Sequence, residues 1–318
     1  MIRLQSINMT RFRGIREGSV QDLADVNLLV GRNNSGKSTV LEAIMRLGYA
    51  SAKEDYLGRS IVKIWGNFRN ESQEFPPELW YRMDQIRDVE LEAKLTEKSE
   101  NNWRQINPVS WKVKLEGHQG RPQPAGYSAI FRDTSLFRPS DGINREIENR
   151  LWPRLLAKRQ DKNFTEALNQ IFGLKAEAFQ LLPDGRLMVL FPDHSIPLDV
   201  QGDGTRAALR ALMVLSVLEY TLFLLEEPES HQHPGALQRF ALAICKRAKQ
   251  QEVQLLISTH SADCVRAFLN AAKEADSEGA VFHLNLDDGH LKAKRLDPEA
   301  IETLQNSGVD VRFLDLYA

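Results

Sequence analysis

Apolar positions along the chain follow two periods, and the changes from one to the other mark out its elements. Met1-Ile2-Arg3-Leu4-Gln5-Ser6 alternates apolar with polar residues, which predicts a first strand over about Arg3 to Met9. Asn27 to Val30 predicts a second, followed by a glycine-containing loop and a helix from Lys37 to about Arg46. Between Tyr56 and Arg138 the character changes. Val89-Glu90-Leu91-Glu92-Ala93 and Trp111-Lys112-Val113-Lys114-Leu115 alternate as strands do, Trp65, Trp80, Trp103 and Trp111 cluster here, and Pro76-Pro77 and Pro108 interrupt. This stretch reads as a partly antiparallel lobe.

Glu146 to Phe172 predicts two helices, the second starting near Asn163, and Pro183-Asp184-Gly185 predicts the turn of a hairpin. Helices and strands then alternate: a helix from about Thr205 to Tyr220, a strand Leu222 to Leu225, a helix Pro234 to Lys249, a strand Val253 to Ser258, a helix after Ser261 and a strand Ala280 to Leu286. Such alternation predicts an α/β protein with a mostly parallel core sheet. The expected organisation is one domain over 1–318, its core built from 1–55 and 190–318, with 56–189 as an inserted lobe of antiparallel strands, helices and a hairpin. The tail after Arg295 is predicted as an edge helix without assignable chemistry.

The 318 residues allow one large or two modest domains. With 41 Lys+Arg against 43 Asp+Glu there is no global basic field, so nucleic-acid binding would need a local patch. Two cysteines, Cys245 and Cys264, are too few for a disulfide framework or a cysteine-based zinc site, and a reducing cytoplasm is the expected setting. The N-terminus lacks the apolar core of a secretory signal. Ala207 to Leu225 approaches the ~20 residues a bilayer requires, but Arg210 and Glu219 interrupt it, so it reads as a buried helix and strand, with no membrane partner.

Gly31-Arg32-Asn33-Asn34-Ser35-Gly36-Lys37-Ser38 matches G-x-x-x-x-G-K-[ST] between a predicted strand and a predicted helix, the context in which the pattern binds phosphate. Glycines let backbone N–H groups turn toward a phosphate at the helix N-terminus. Lys37 is placed to reach the β/γ oxygens and Ser38 to ligate Mg2+. A second element supplies acids: Leu222 to Leu225 runs into Glu226 and Glu227, the first predicted on the metal and the second as general base for attacking water. The strand Leu255 to Ser258 ends in Thr259-His260-Ser261, which puts an imidazole at the carboxyl edge of the sheet, where it is expected to sense the γ-phosphate. His231 and His233 precede Pro234, and their spacing favours packing or an interface over zinc.

Gly31 to Thr39, Glu226-Glu227-Pro228-Glu229-Ser230-His231-Gln232-His233-Pro234 and Ser258 to Ser261 together resemble the ABC-type P-loop ATPases of the RecF, SMC and OLD (overcoming lysogenization defect) group, above all the OLD-like branch, also called AAA-21 ATPases. The resemblance covers roughly 1–50 and 195–290. It implies an ABC-type ATPase head and a head-to-tail dimer of the chain with itself, ATP lying between the P-loop of one copy and a signature loop of the other. Gln201-Gly202-Asp203-Gly204-Thr205-Arg206 occupies the signature position, with Gly202 where the family has serine, so the backbone N–H groups of Gly204 and Thr205 stand in for a side-chain contact. Arg206 and Arg210, four apart, are open to ATP, a partner or solvent. Arg11-Phe12-Arg13-Gly14 resembles the family's F-R-G segment, which places Arg11 and Arg13 beside the nucleotide; a bend with two solvated arginines is an equal reading. Gln73, Gln85 and Gln105 compete for the family's Q-loop glutamine.

The cofactors implied are ATP and Mg2+. The stretch between Lys37 and Glu226 leaves little length for coiled-coil arms, and fewer than thirty residues after Gly289 leave no room for the TOPRIM nuclease of OLD proteins. The leading expectation is an ATPase that senses or scaffolds, coupling its ATP state to a separately encoded effector such as a nuclease in antiviral defence. The alternatives are a RecF-like repair ATPase presenting Arg82, Arg87, Lys94, Lys98, Arg104, Lys112 and Lys114 to DNA, and an ATP-locked structural subunit that seldom hydrolyses. The basic residues alternate with acids, which favours a solvated face.

Overall fold

The computed structural model describes residues 2–49, 79, 81–84, 86–99, 102–116, 119–125, 134–138, 141, 145–230, 232–297, 300–301 and 303. Trp65, Trp80, Gln73, Gln85 and His231 lie outside them, as do the side chains of Trp103, Trp111, Lys98, Lys112 and Lys114 and most of the tail after Arg295.

The core of the molecule is parallel. Strands β3 (Val26–Val30), β11 (Leu222–Glu226), β12 (Gln254–Ser258) and β13 (Gly279–Asp287) lie in the order β13-β3-β12-β11, with β7 (Ser135–Phe137) beyond β11, all parallel. Their runs are nearly all apolar because both faces are covered. Leu28, Phe223, Leu225, Leu255 and Ile257 face a core with helices α2 (Glu146–Ala157), α3 (Asp161–Phe172), α4 (Asp203–Val217), α5 (Pro234–Gln250) and α6 (Ala262–Glu274), while Leu29, Leu222, Leu224 and Leu256 face a second core with α1 (Lys37–Tyr49).

The same sheet continues as an antiparallel wing. β14 (His290–Leu296) pairs antiparallel with β13 and parallel with β2 (Ile15–Val20); β2 pairs with β1 (Ile2–Phe12), and β4 (Val89–Ser99), β5 (Asn102–Glu116) and β6 (Gln119–Ala125) follow beyond β1. The strands expected in a lobe of their own are thus threaded into the core sheet: β4 hydrogen-bonds to β1 at one end and β7 to β11 at the other. Leu91, Ala93 and Leu95 of β4 bury the apolar half of their alternation in the core of α1. β8 (Ala178–Leu181), β9 (Leu187–Leu190) and β10 (Ser195–Pro197) form a separate small antiparallel sheet, with Pro183-Asp184-Gly185 between β8 and β9 as the expected hairpin.

Several boundaries move. α4 begins at Asp203, capped by Gly202, and stops at Val217 because Leu218 is already extended. α3 starts at Asp161. No helix among the described residues is long and apolar enough to cross a membrane.

Candidate functional site

The loop between β3 and α1 owes its shape to two glycines. Gly31 has φ 141° and Gly36 φ 97°, and a Cβ at Gly31 would stand 2.4 Å from the Leu284 carbonyl oxygen, so only glycine fits there. Asn34 takes the left-handed turn between them, φ 62°. The loop curls around Lys37, which is 6% exposed and donates to the carbonyls of Gly31 at 2.8 Å and Arg32 at 2.7 Å and to Ser35 Oγ at 3.4 Å. Burial lowers its pKa to about 8, against the opposing pull of the Glu227 charge.

Opposite the loop stands the carboxyl end of β11. Ser38 donates from Oγ to Glu226 Oε1 at 2.5 Å, joining the start of α1 to this strand across 188 positions of sequence. Glu227 leaves the ladder with φ 45°, a left-handed conformation rare for a side chain of this kind, while its N–H donates to the Ser258 carbonyl at 2.9 Å. The kink releases its carboxylate from the strand alternation, and Oε1 lies 3.5 Å from His260 Nε2; the two side chains are 43% and 38% exposed. Beside them lies a cavity of about 560 Å³ lined by Arg13, Gly14, Asn33, Asn34, Ser35, Gly36, Lys37, Ser38, Thr39, His260 and Leu286, while Glu226 and Glu227 are absent from its lining.

The other predicted residues fall elsewhere. Arg13 reaches the cavity, but its guanidinium is paired with Glu42 of α1 and is almost wholly buried; Arg11 donates to Asp84 at 2.6 Å and is absent from the cavity lining. Gly202, Gly204 and Thr205 sit at the start of α4, outside the cavity. Nothing lies within 4 Å of a Cβ built at Gly202, and the Gly204 carbonyl accepts from Gln232 Nε2 at 2.8 Å. Arg210 answers none of its three expected roles: it is fully buried, paired with Glu148 of α2 and 3.4 Å from Asp199, whereas Arg206 pairs with Asp203 in the first turn of its own helix. Positions four apart share one side of a helix, yet α2 covers that side at Arg210.

His233 caps α5, its Nδ1 accepting from Gly235 N at 3.3 Å, and among the described residues no cluster of His, Cys, Asp and Glu could hold a metal. Cys245 and Cys264 are buried, and burial pushes Cys245 up to about 12, so both thiols stay protonated. In the basic strip, Arg87, Lys94 and Arg104 are exposed and Arg82 pairs with Asp288, while Glu97 stands opposite Arg104 and Glu90 opposite Lys112 in the β4–β5 register. Gln105 is exposed opposite Thr96.

Sequence reading missed one member of this neighbourhood. Glu229 accepts on Oε1 from Thr259 Oγ1 at 2.5 Å and from the His260 backbone N at 3.1 Å. The only signal for it was its place in the Glu-Glu-Pro-Glu string.

The chain is similar over nearly its whole length to an "ATP/GTP phosphatase" of Helicobacter pylori, 19% identical across 94% of this chain and 97% of that protein. It is 25% identical to the "DNA replication and repair protein RecF" of Shewanella pealeana across 46% of this chain and 44% of that protein. Among solved structures, the SMC head bound to the C-terminal winged-helix domain of ScpA covers 93% of this chain and 98% of its own at TM-score 0.63 and 13% identity; the SMC head of Pyrococcus furiosus covers 96% and 99% at TM-score 0.60 and 11% identity. The fold is therefore that of an ABC-type ATPase head. Residues 67–263, more than half of the chain, match the family described as "AAA domain, putative AbiEii toxin, Type IV TA system", and the chain belongs to that family.

Proposed function

We propose that residues 1–318 are a single Mg2+-dependent ATPase head that acts as a head-to-tail dimer. One observation carries the reading: the Ser38–Glu226 hydrogen bond brings a lysine-filled phosphate loop and a strand-end acid pair to one rim. Gly31, Asn33, Asn34, Ser35, Gly36, Lys37, Ser38 and Thr39 bind the phosphates of ATP, with Arg13 beside the nucleotide. Lys37 suits this work because all its hydrogen-bond partners are neutral oxygens, leaving its charge for an anion. Ser38 Oγ and Glu226 form a hard-oxygen pair of the kind that holds Mg2+. A Mg2+ ion held by this pair would supply neutralisation of phosphate charge. Glu227 accepts the proton of the attacking water, and His260, which lines the cavity and lies 3.5 Å from Glu227, orients the γ-phosphate. Gly202, Gly204 and Thr205 contact ATP bound to the partner copy, the open backbone at Gly202 permitting close approach.

The biological reading is an OLD-like sensor or scaffold that couples its ATP state to a separate effector in the cytoplasm, with antiviral defence as the setting. Its support is the family description, which names a toxin–antitoxin system. The test is ATP turnover with Mg2+ and with chelator, together with native mass spectrometry of the chain co-expressed with the products of its flanking genes. Turnover abolished by chelation and a complex with a second protein are the expected results; ATP retained without turnover selects the ATP-locked subunit. The similarity to RecF supports a second reading, an ATPase acting on DNA. It predicts turnover stimulated by duplex DNA with a steep salt dependence.

A further inference from the structure

The turn after β11 carries two carboxylates that reach the same residue from different sides. Glu227 faces the imidazole of His260, while Glu229 takes the backbone N–H of His260 and the hydroxyl of Thr259 on a single oxygen. Thr259 is fully buried, and its Oγ1 in turn accepts from the N–H of Ser261 at 2.9 Å. Ser261 then caps α6, accepting from Cys264 N at 3.2 Å. After burial, the Glu229 charge is the next influence holding the Cys264 thiol well above its ordinary range, which places that thiol beside the carboxylate. Glu229 therefore gathers the strand end, His260 and the first turn of α6 around one anion. On its own turn it is fixed by Gln232 N donating to its carbonyl at 2.9 Å, and Ser230 N donates to the Glu227 carbonyl at 2.9 Å, so both acids sit on hydrogen-bonded turns of one short segment.

We infer that Glu229 is the positioning residue that sets the distance between His260 and Glu227. The inference rests on the ATPase reading for its kinetics and on geometry alone for its structural content. A charged acceptor suits this place, since hydrogen bonds to an ionised group are about twice as strong as neutral ones. Without it, the Thr259 hydroxyl and His260 N–H lose their acceptor at the point where β12 passes into α6. A displacement of about 1 Å at such a site costs on the order of a hundredfold in rate.

The test compares Glu229→Ala, Glu229→Gln and Thr259→Val in the full chain, each checked for folding by circular dichroism. Glu229→Ala is expected to lower kcat roughly 10- to 100-fold while KM for ATP stays within about twofold, as a positioning role requires. Glu229→Gln keeps an oxygen acceptor and recovers most of the rate; Thr259→Val removes one of the two donors and falls between. Adding Glu229→Ala to His260→Ala costs nothing further. Histidine NMR of nucleotide-free protein gives a readout apart from activity: the His260 ring signals shift and broaden in Glu229→Ala and Thr259→Val and stay in place in Glu229→Gln. Should Glu229→Ala fail to fold, Glu229→Gln and Thr259→Val carry both readouts. Unmoved ring signals, an unchanged kcat, a glutamine variant as impaired as alanine, or losses that add to those of His260→Ala overturn the inference. A wild-type protein that hydrolyses no ATP overturns the ATPase reading instead, and the ring signals still decide the positioning.

Discussion

Two buried cations in this molecule lie in opposite surroundings. Arg210 is 0% exposed and faces carboxylates: Glu148, itself 1% exposed, and Asp199, which Arg145 also holds at 2.8 Å. Lys37 is nearly as buried but meets two carbonyls and a hydroxyl, in a loop that lines the cavity. The first cluster is closed, every charge met within the chain, and its work is to pin α2 to α4. The second is left short of negative charge in the place where a phosphate would enter. Burial alone does not separate these two cations; the chemistry of their partners does.

Substitutions sharpen this contrast. The largest effect is expected from Glu227→Gln, which removes the proposed base while keeping its shape: turnover falls by roughly 10²- to 10⁴-fold and ATP is trapped in a closed dimer, read by phosphate release and light scattering. Normal turnover in a monomer would return Glu227 to a solvated strand end. In the closed cluster, Arg210→Met leaves Glu148 buried without its cation. It should cost about 3–5 kcal/mol in urea unfolding, and Arg210→Met with Glu148→Leu should regain most of that, since both charges go together. ATP affinity stays unchanged in either variant, provided the protein is folded. Lys37→Ala gives the reverse pattern: affinity by calorimetry falls roughly a hundredfold while stability is kept or gained, because burial of the charged ammonium opposes folding at neutral pH. A destabilised Lys37→Ala with intact affinity would erase the distinction.

The contrast also explains what the sequence disclosed. The turn from β3 into α1 around Lys37 was legible because its two glycines and the lysine share eight adjacent residues, and the parallel core because strands covered on both faces carry unbroken apolar runs. β2 and β14 were not anticipated: Ile15–Val20 and His290–Leu296 bury only alternate or end positions and hold their place by pairing with each other and with β1 and β13. The antiparallel strands were recognised but not their attachment, since nothing within β4 encodes that its neighbour is β1, some eighty residues earlier. Arg210 and Arg206 look alike on a helical wheel, and only α2, reached through a long connection, separates a buried ion pair from an exposed one. Glu229 was given no role for the same reason: its partners, Thr259 and His260, lie beyond the end of β12.

The smallest expected effect tests the state of the Lys37 ammonium, and its two signs differ. Burial lowers the folded pKa from 10.5 to about 8, so the unfolded chain holds this proton more tightly than the folded one between those values. Nucleotide-free protein therefore gains stability from Lys37 as pH rises from about 8 toward 10.5, and below 8 the group opposes folding in full. ATP binding runs the other way, because phosphate requires the charged form. Its affinity should be flat below pH 8 and fall about tenfold per unit above it, until the pKa that the bound phosphates restore is reached. Calorimetry from pH 7 to 9.5 reads the slope. Lys37→Arg, charged throughout, should flatten it even where binding is weaker. A slope that survives in Lys37→Arg would belong to another group in the cavity, and the neutral oxygens around Lys37 would then have no part in tuning it.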